Sequence, residues 1–147
     1  SVWQANENLT LFANVSFNDS ELTRVPANIV GLRQPGSSLA LAPELQYVLR
    51  ARYDWEIGNG NRMFAQLVHQ YTDDQISAIV TGADFQMDSY RTWDASLGYD
   101  LENMTITVFG ENLTDELADL FISNEDDIIK TTPNRPRTFG VRLSYRF

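Results

Sequence analysis

Residues 44–57 alternate without a break. Leu45, Tyr47, Leu49, Ala51, Tyr53, Trp55 and Ile57 take one parity; Gln46, Val48, Arg50, Arg52, Asp54 and Glu56 take the other. Successive side chains of a strand point to opposite faces, so this stretch predicts a strand with an apolar wall on one side and a mostly polar wall on the other. Seven pleats in register make it long for a globular strand, whose usual length is about five or six residues. Whatever the chain folds into must give such a strand neighbours of matching length, and a medium for its apolar side.

The rest of the chain supplies those neighbours. In 9–18, Leu9, Leu11, Ala13, Val15 and Phe17 share a face, and Phe12 is the one bulky apolar residue on the other. In 62–72, Met63, Ala65, Leu67, His69 and Tyr71 oppose a mixed face of Phe64, Gln66, Val68 and Gln70. Residues 90–101 set Trp93, Ala95, Leu97, Tyr99 and Leu101 against Asp94, Ser96, Gly98 and Asp100, and 104–113 set Met104, Ile106, Val108 and Gly110 against Thr105, Thr107, Phe109 and Glu111. The last ten residues, 138–147, alternate to the end: Phe139, Val141, Leu143, Tyr145 and Phe147 against Gly140, Arg142, Ser144 and Arg146. Residues 1–4 read as the stub of a further strand. The prediction is thus an all-β, antiparallel chain of six strands and part of a seventh.

The connections alternate in length. Ala5-Asn6-Glu7-Asn8, Gly58-Asn59-Gly60-Asn61 and Glu102-Asn103 are short turns, the second built from Gly and Asn, which tolerate positive φ. Residues 19–43, 73–89 and 114–135 are long and read as loops, with 115–121 a candidate short helix in the third. Short turns at one end and long loops at the other are the rhythm of an up-and-down barrel in an outer membrane. Placed by height, Trp55, Tyr99, Tyr145 and Phe147 form a lower aromatic row, and Phe17, Tyr47, Tyr71 and Phe139 an upper one. Aliphatic residues lie between them, as where a barrel wall meets two headgroup layers. No formally charged residue is expected on this outward face. A soluble β-sandwich or a lipocalin-like barrel also alternates, but turns its apolar face inward and does not sort its aromatics to the strand ends.

Composition closes off other classes. The 147 residues suffice for one domain with a core. No run of eighteen apolar residues exists to form a transmembrane helix. The net charge of -9 makes nucleic acid an unsuitable partner, since phosphate binding needs a basic surface. Without cysteine there are no disulfides or thiolate metal sites. Ser1 opens the chain with no charged n-region or apolar h-region, as in a mature form, a fragment, or a protein without a secretory signal.

Several segments, in order and spacing, resemble the C-terminal barrel of TonB-dependent outer-membrane receptors. Asn112-Leu113-Thr114-Asp115-Glu116 resembles that family's N-L-T-D-E element after the penultimate strand, and Arg135-Pro136-Arg137-Thr138-Phe139-Gly140 with Tyr145-Arg146-Phe147 its last strand. Leu41-Ala42-Pro43-Glu44 is similar to its A-P-E entry to an earlier strand, and 9–22 to its L-x-L-x-A-N-x-S-x-x-D-x-E-L pattern. The resemblance covers essentially 1–147. It implies a segment of a 22-strand barrel, whose plug domain and TonB box are absent here. It also implies uptake of a scarce ligand (ferric siderophore, haem, cobalamin or oligosaccharide) into the periplasm. The implied partners are outer-membrane lipid, the plug of the same full-length chain, TonB, the barrel-assembly machinery and an unidentified small ligand. Thr138, Gly140, Leu143, Tyr145 and Phe147 fit the pattern of the assembly signal on a last strand. Ligand contacts are expected on the long loops, with Arg33, Gln34, Asp84, Phe85, Phe121 and Asn124 as candidates. Arg50, Arg52, Asp54, Glu56, Asp94, Asp100, Glu111, Arg142 and Arg146 are expected to face the lumen.

Enzymatic chemistry finds no constellation. His69, the one histidine, stands between Leu67 and Tyr71 on the outward face with no partner spaced for catalysis or metal binding, and reads as a locally hydrogen-bonded imidazole near the interface. Asp73-Asp74 and Glu125-Asp126-Asp127 lack the alternate ligands and glycine turn of a calcium loop and read as solvated carboxylates, whose field favours cationic or metal-complexed ligands over anionic ones. Asn8, Asn14, Asn18, Asn103 and Asn112 begin sequons, in or beside strands where glycosylation is not expected; Asn112 reads instead as a cap or turn at a strand end. No catalytic residue, cofactor or resident metal is expected. The structural alternatives are a small soluble barrel that binds an apolar ligand and a self-contained eight-stranded membrane barrel. The latter needs two strands hidden in the loops, where proline and glycine oppose them. An outer-membrane lipase or protease barrel requires a Ser, a His and an acid at one rim, and His69 on the lipid side opposes it.

Overall fold

The computed structural model describes residues 1–26, 30–58, 60–125 and 128–147, the side chain of Glu125 excepted. Among these residues eleven strands are formed: β1 (Val2–Gln4), β2 (Leu9–Phe17), β3 (Leu45–Ile57), β4 (Asn61–Thr72), β5 (Gln75–Ile76), β6 (Gln86–Met87), β7 (Tyr90–Asp100), β8 (Met104–Glu111), β9 (Asp119–Glu125), β10 (Ile128–Pro133) and β11 (Thr138–Tyr145). Seven of them make one antiparallel sheet, in the order β1-β2-β3-β4-β7-β8-β11. Each wall strand pairs with the next wall strand in sequence, so the sheet is a simple meander with β1 and β11 at its edges.

Register matches the alternation. Leu11 pairs with Ala51, Ala51 with Leu67, Leu67 with Ala95, Ala95 with Gly110 and Gly110 with Phe139. A second row runs Trp55, Met63, Tyr99, Ile106 and Leu143. A one-residue slip anywhere would send a whole strand's apolar set to the opposite face, so hydrophobic patterning specifies these pairings strongly. The tight turns do their part. Asn6 Oδ1 accepts from the amides of Asn8 and Leu9, the Leu101 amide donates to the Met104 carbonyl, and Gly60 holds φ 77° after β3. Asn59 of that turn lies outside the described residues.

Among the described residues nothing covers the apolar face. Leu49 is 42% exposed, Leu97 46%, Val141 64% and Leu143 68%. Leu49, Leu97 and Val141 therefore do not meet in a closed interior, as a soluble sandwich or lipocalin-like barrel requires. A contiguous apolar surface across seven strands exceeds what soluble monomers expose, and marks a membrane or partner surface.

Three expectations need correction. Residues 115–121 form no helix; the segment is extended and enters β9. Its Asp119-Leu120-Phe121 run instead finds a strand partner in β10. The long connections also contain strands despite their proline and glycine content, but as two separate hairpins, β5–β6 and β9–β10, that add nothing to the wall. Third, the apolar face does carry a charge. Arg91 pairs with Tyr71 and has the parity of Trp93. It sits at the loop end of β7, one residue from the strand's start, where a long guanidinium side chain reaches headgroups and water.

Candidate functional site

The polar face of the sheet holds a pattern that reading strands one at a time missed. Three phenylalanine rings stand among its polar residues, and each lies under an arginine of the neighbouring strand. The Arg52 guanidinium is 3.7 Å from the centroid of Phe64, Arg50 5.0 Å from Phe12 and Arg142 5.2 Å from Phe109. Such stacking stabilises by about 0.5–1 kcal/mol when exposed and ~2 kcal/mol when desolvated. Phe64 is also the one wall residue with a buried apolar side chain, 8% exposed. Its ring lies over Gly98, its direct cross-strand partner, where an added Cβ would meet it at 2.0 Å. Phe109 lies over its partner Gly140 in the same way, at 2.5 Å. The glycines leave room for rings to lie flat on the sheet, and the rings present flat surfaces to the arginines. The legible signal was the misfit: an aromatic of the wrong parity, opposite glycine or arginine.

Charge partners complete the polar face. Arg52 grips Asp54 through Nε and Nη2, with the shortest bond 2.8 Å. Asp94 accepts from the Gln70 amide and from the backbone amide of Asn112. Arg135 Nη1 donates to Glu111 at 2.8 Å. Gln66, Asp94, Ser96, Glu111, Phe109 and Arg142 line one hollow of about 160 Å³ on this face. Arg50, Arg52, Asp54, Asp94, Glu111 and Arg142 therefore share a side of the sheet, and Arg146 follows β11 directly, its amide donating to the Asn103 carbonyl.

The six loop candidates do not converge. Arg33 Nε donates to Asp84 at 2.7 Å, so these two hold each other. Arg33's guanidinium, with the amides of Asp84 and Gly82, keeps the Asp84 carboxyl below its ordinary value. Phe85 is half-buried; its carbonyl accepts from the Ser77 amide and its own amide donates to the Ser77 hydroxyl. Gln34 is exposed in a turn, its carbonyl accepting from the Ser37 amide. Phe121 and Asn124 lie on β9 with opposite parity, so they point to opposite faces of that hairpin. The first two long connections are joined by more than the ion pair: Leu32 bridges Val80, the Leu41 amide donates to the Ile76 carbonyl, and Thr81 bonds the Gly31 carbonyl. Beneath them lie Ile76, Ser77 and Met87, all buried. Asp73 accepts from the Tyr71 hydroxyl and Asp74 from Gln86. Asp126 and Asp127 lie outside the described residues.

His69 is occupied. Its ring stacks on Trp93 at 4.1 Å, with Nε2 3.3 Å from the Tyr47 hydroxyl and Nδ1 3.2 Å from the Thr92 carbonyl. Stacked and bonded at both nitrogens, it is a wall residue rather than a base.

One apolar face, one charged face and an alternating loop rhythm agree with one finding from known proteins. The family model "TonB dependent receptor-like, beta-barrel" matches residues 1–113. The chain belongs to this TonB-dependent receptor family. No curated protein matches it. The TonB-dependent receptor barrel belongs to a receptor and transport family of the Gram-negative outer membrane, not to an enzyme family. Membership implies embedding in that membrane and, in the full chain, a plug domain and an interaction with TonB. The match stops at Leu113, before the last loop and β11, whose pairing with β8 continues the same wall.

Proposed function

We propose that residues 1–147 are the C-terminal part of a receptor barrel whose complete form binds a scarce ligand outside the cell and imports it to the periplasm when TonB acts on the plug. The ligand is a ferric siderophore, haem, cobalamin or an oligosaccharide. The observation that carries this reading is the sidedness of the sheet. Seven strands present an uncovered apolar face, and the opposite face bears the guanidinium–aromatic pairs and the polar hollow at Asp94, Glu111 and Arg142. In this reading that second face is the lumen wall, where Arg50 and Arg142 offer stacked guanidiniums to the plug. The long connections are then extracellular, and Gln34, Phe121 and Asn124 are the loop candidates left free for ligand. Thr138, Gly140, Leu143, Tyr145 and Phe147 serve assembly of the last strand. The seven strands describe part of a larger circumference, so a plug, a TonB box and more than a dozen strands are expected upstream of Ser1.

The test is uptake by cells. A strain that depends on the full-length receptor is expected to lose ligand import on deletion of its gene or of TonB, and to regain it with the intact gene. Import that persists without TonB overturns the proposal. Monomeric behaviour of the receptor in buffer without detergent overturns the membrane sidedness on which it stands.

A further inference from the structure

The third long connection raises a mechanical question. Its hairpin, β9–β10, is a two-stranded ribbon, and such ribbons are at best marginally stable alone. β10 is exposed along its whole length, and β9 touches the rest of the chain beside β6. Yet the hairpin is held beside β6. The cause lies at its feet. Asn112, at the end of β8, is 4% exposed and has φ 49°. Its Oδ1 accepts from the Glu116 amide at 2.9 Å, while Nδ2 donates to the carbonyls of Glu116 at 2.9 Å and Arg135 at 3.0 Å. Asn134 repeats the arrangement from the other foot. Its Nδ2 donates to the Glu116 carbonyl at 2.9 Å, its Oδ1 accepts from the Ala118 amide at 3.1 Å, and its own amide donates to the Ala118 carbonyl. Asp115, also at positive φ, accepts from the Arg137 amide at 3.0 Å.

We infer that Asn112 and Asn134 are a paired latch that aims the β9–β10 hairpin across the second long loop. They act as positioning residues for Phe121 and Asn124. The inference rests, for its link to ligand, on the extracellular placement of that loop proposed above. Two side chains with both a donor and an acceptor are needed because the feet of the hairpin offer both amides and carbonyls within one turn. Asparagine is also the residue, glycine apart, that best tolerates the left-handed backbone at 112. The N-L-T-D-E element is thus a joint: Asn112 carries the bonds, and Asp115 clasps the chain as it returns to β11.

The chain has no cysteine, so two introduced ones are unique within this segment. In the full-length receptor, Asp88→Cys beside β6 and Thr132→Cys on β10 are spin-labelled and the distance distribution measured. Asn112→Asp keeps size and backbone tolerance but sets an acceptor against two carbonyls. Asn112→Gly keeps the backbone and loses the bonds. Asn134→Ala touches only the loop. The latch predicts at least a twofold broader distribution in all three, with unchanged heat-modifiable migration of the barrel. It also predicts weaker ligand binding at unchanged capacity. Parental widths in Asn112→Gly and Asn134→Ala overturn it. Should Asn112→Asp fail to assemble, those two variants decide. A membrane-impermeant thiol reagent on whole cells, applied to the Thr132→Cys site, judges the extracellular placement separately. A protected site refutes that placement, while the distance widths still judge the latch.

Discussion

The wall and the loop layer are built on opposite plans. The wall's seven strands carry five acidic and five basic residues, whereas the connections 18–44, 73–89 and 112–137 carry thirteen acidic and five basic ones. Eight of the nine net negative charges therefore sit in the loops. Apart from Phe64 and Gly98, with Gly110 beneath Phe139, the wall buries almost nothing, because both faces of its sheet are open. The loop layer buries Ile76, Ser77, Met87, Asn112 and Ala118 in small satellites of its own. A wall is held by a repeating ladder that tolerates no slip. A loop layer is held by a few individual bonds, each separately breakable. Substitutions should accordingly act globally in one region and locally in the other.

The largest effect is expected where a charge enters the apolar face. Leu97→Arg should cost about 2–4 kcal/mol if this face meets lipid at mid-depth. Ser96→Arg, one residue away on the other face, should cost about 0.5 kcal/mol. Denaturant unfolding of the detergent-refolded receptor measures both, and equal costs would erase the distinction between the faces. Next comes Gly98→Val, which drives a side chain into the Phe64 ring and should cost about 1–3 kcal/mol by the same assay. A double-mutant cycle of Arg52→Gln with Phe64→Leu should return a coupling of about 0.5–2 kcal/mol, the value of the stack rather than of either residue. The smallest effect on the wall belongs to the loop pin. Because Asp84 titrates below its ordinary value of 3.8 in the folded chain, the pin stabilises the loops fully at pH above that value. It should be lost as pH falls through the lowered value. Asp84→Asn should therefore raise protease nicking of 30–41 at neutral pH, relative to the parent, and leave barrel migration unchanged. The two proteins should converge in strong acid, where an acid-active protease reads the difference.

Most of the wall was legible residue by residue, and the reason is periodicity. In 45–57 every second side chain meets the same medium, so the sequence repeats what the environment repeats. Arg91 has the outward parity that the alternation itself gives, but it stands before the first apolar residue of that face, and a charge at the strand's loop end is tolerated where one at its middle is not. The hairpin β9–β10 escaped because its two faces are both largely exposed, leaving no alternation to read. Arg33 and Asp84 were separately visible as charged loop residues, but 51 positions apart nothing in the chain pairs them. Asn112 was legible as a strand-ending turn, since its residue type tolerates positive φ; its three-bond grip on Glu116 and Arg135 was not.

By itself the sequence determined which side of each strand is greasy, how long the strands are and where they turn, because these are local consequences of alternation and of glycine and asparagine at tight bends. Only the tertiary structure decided which arginine stacks on which ring, which loops clasp one another and which way the last hairpin points. Those depend on distances closed between residues far apart along the chain, and no local pattern carries them.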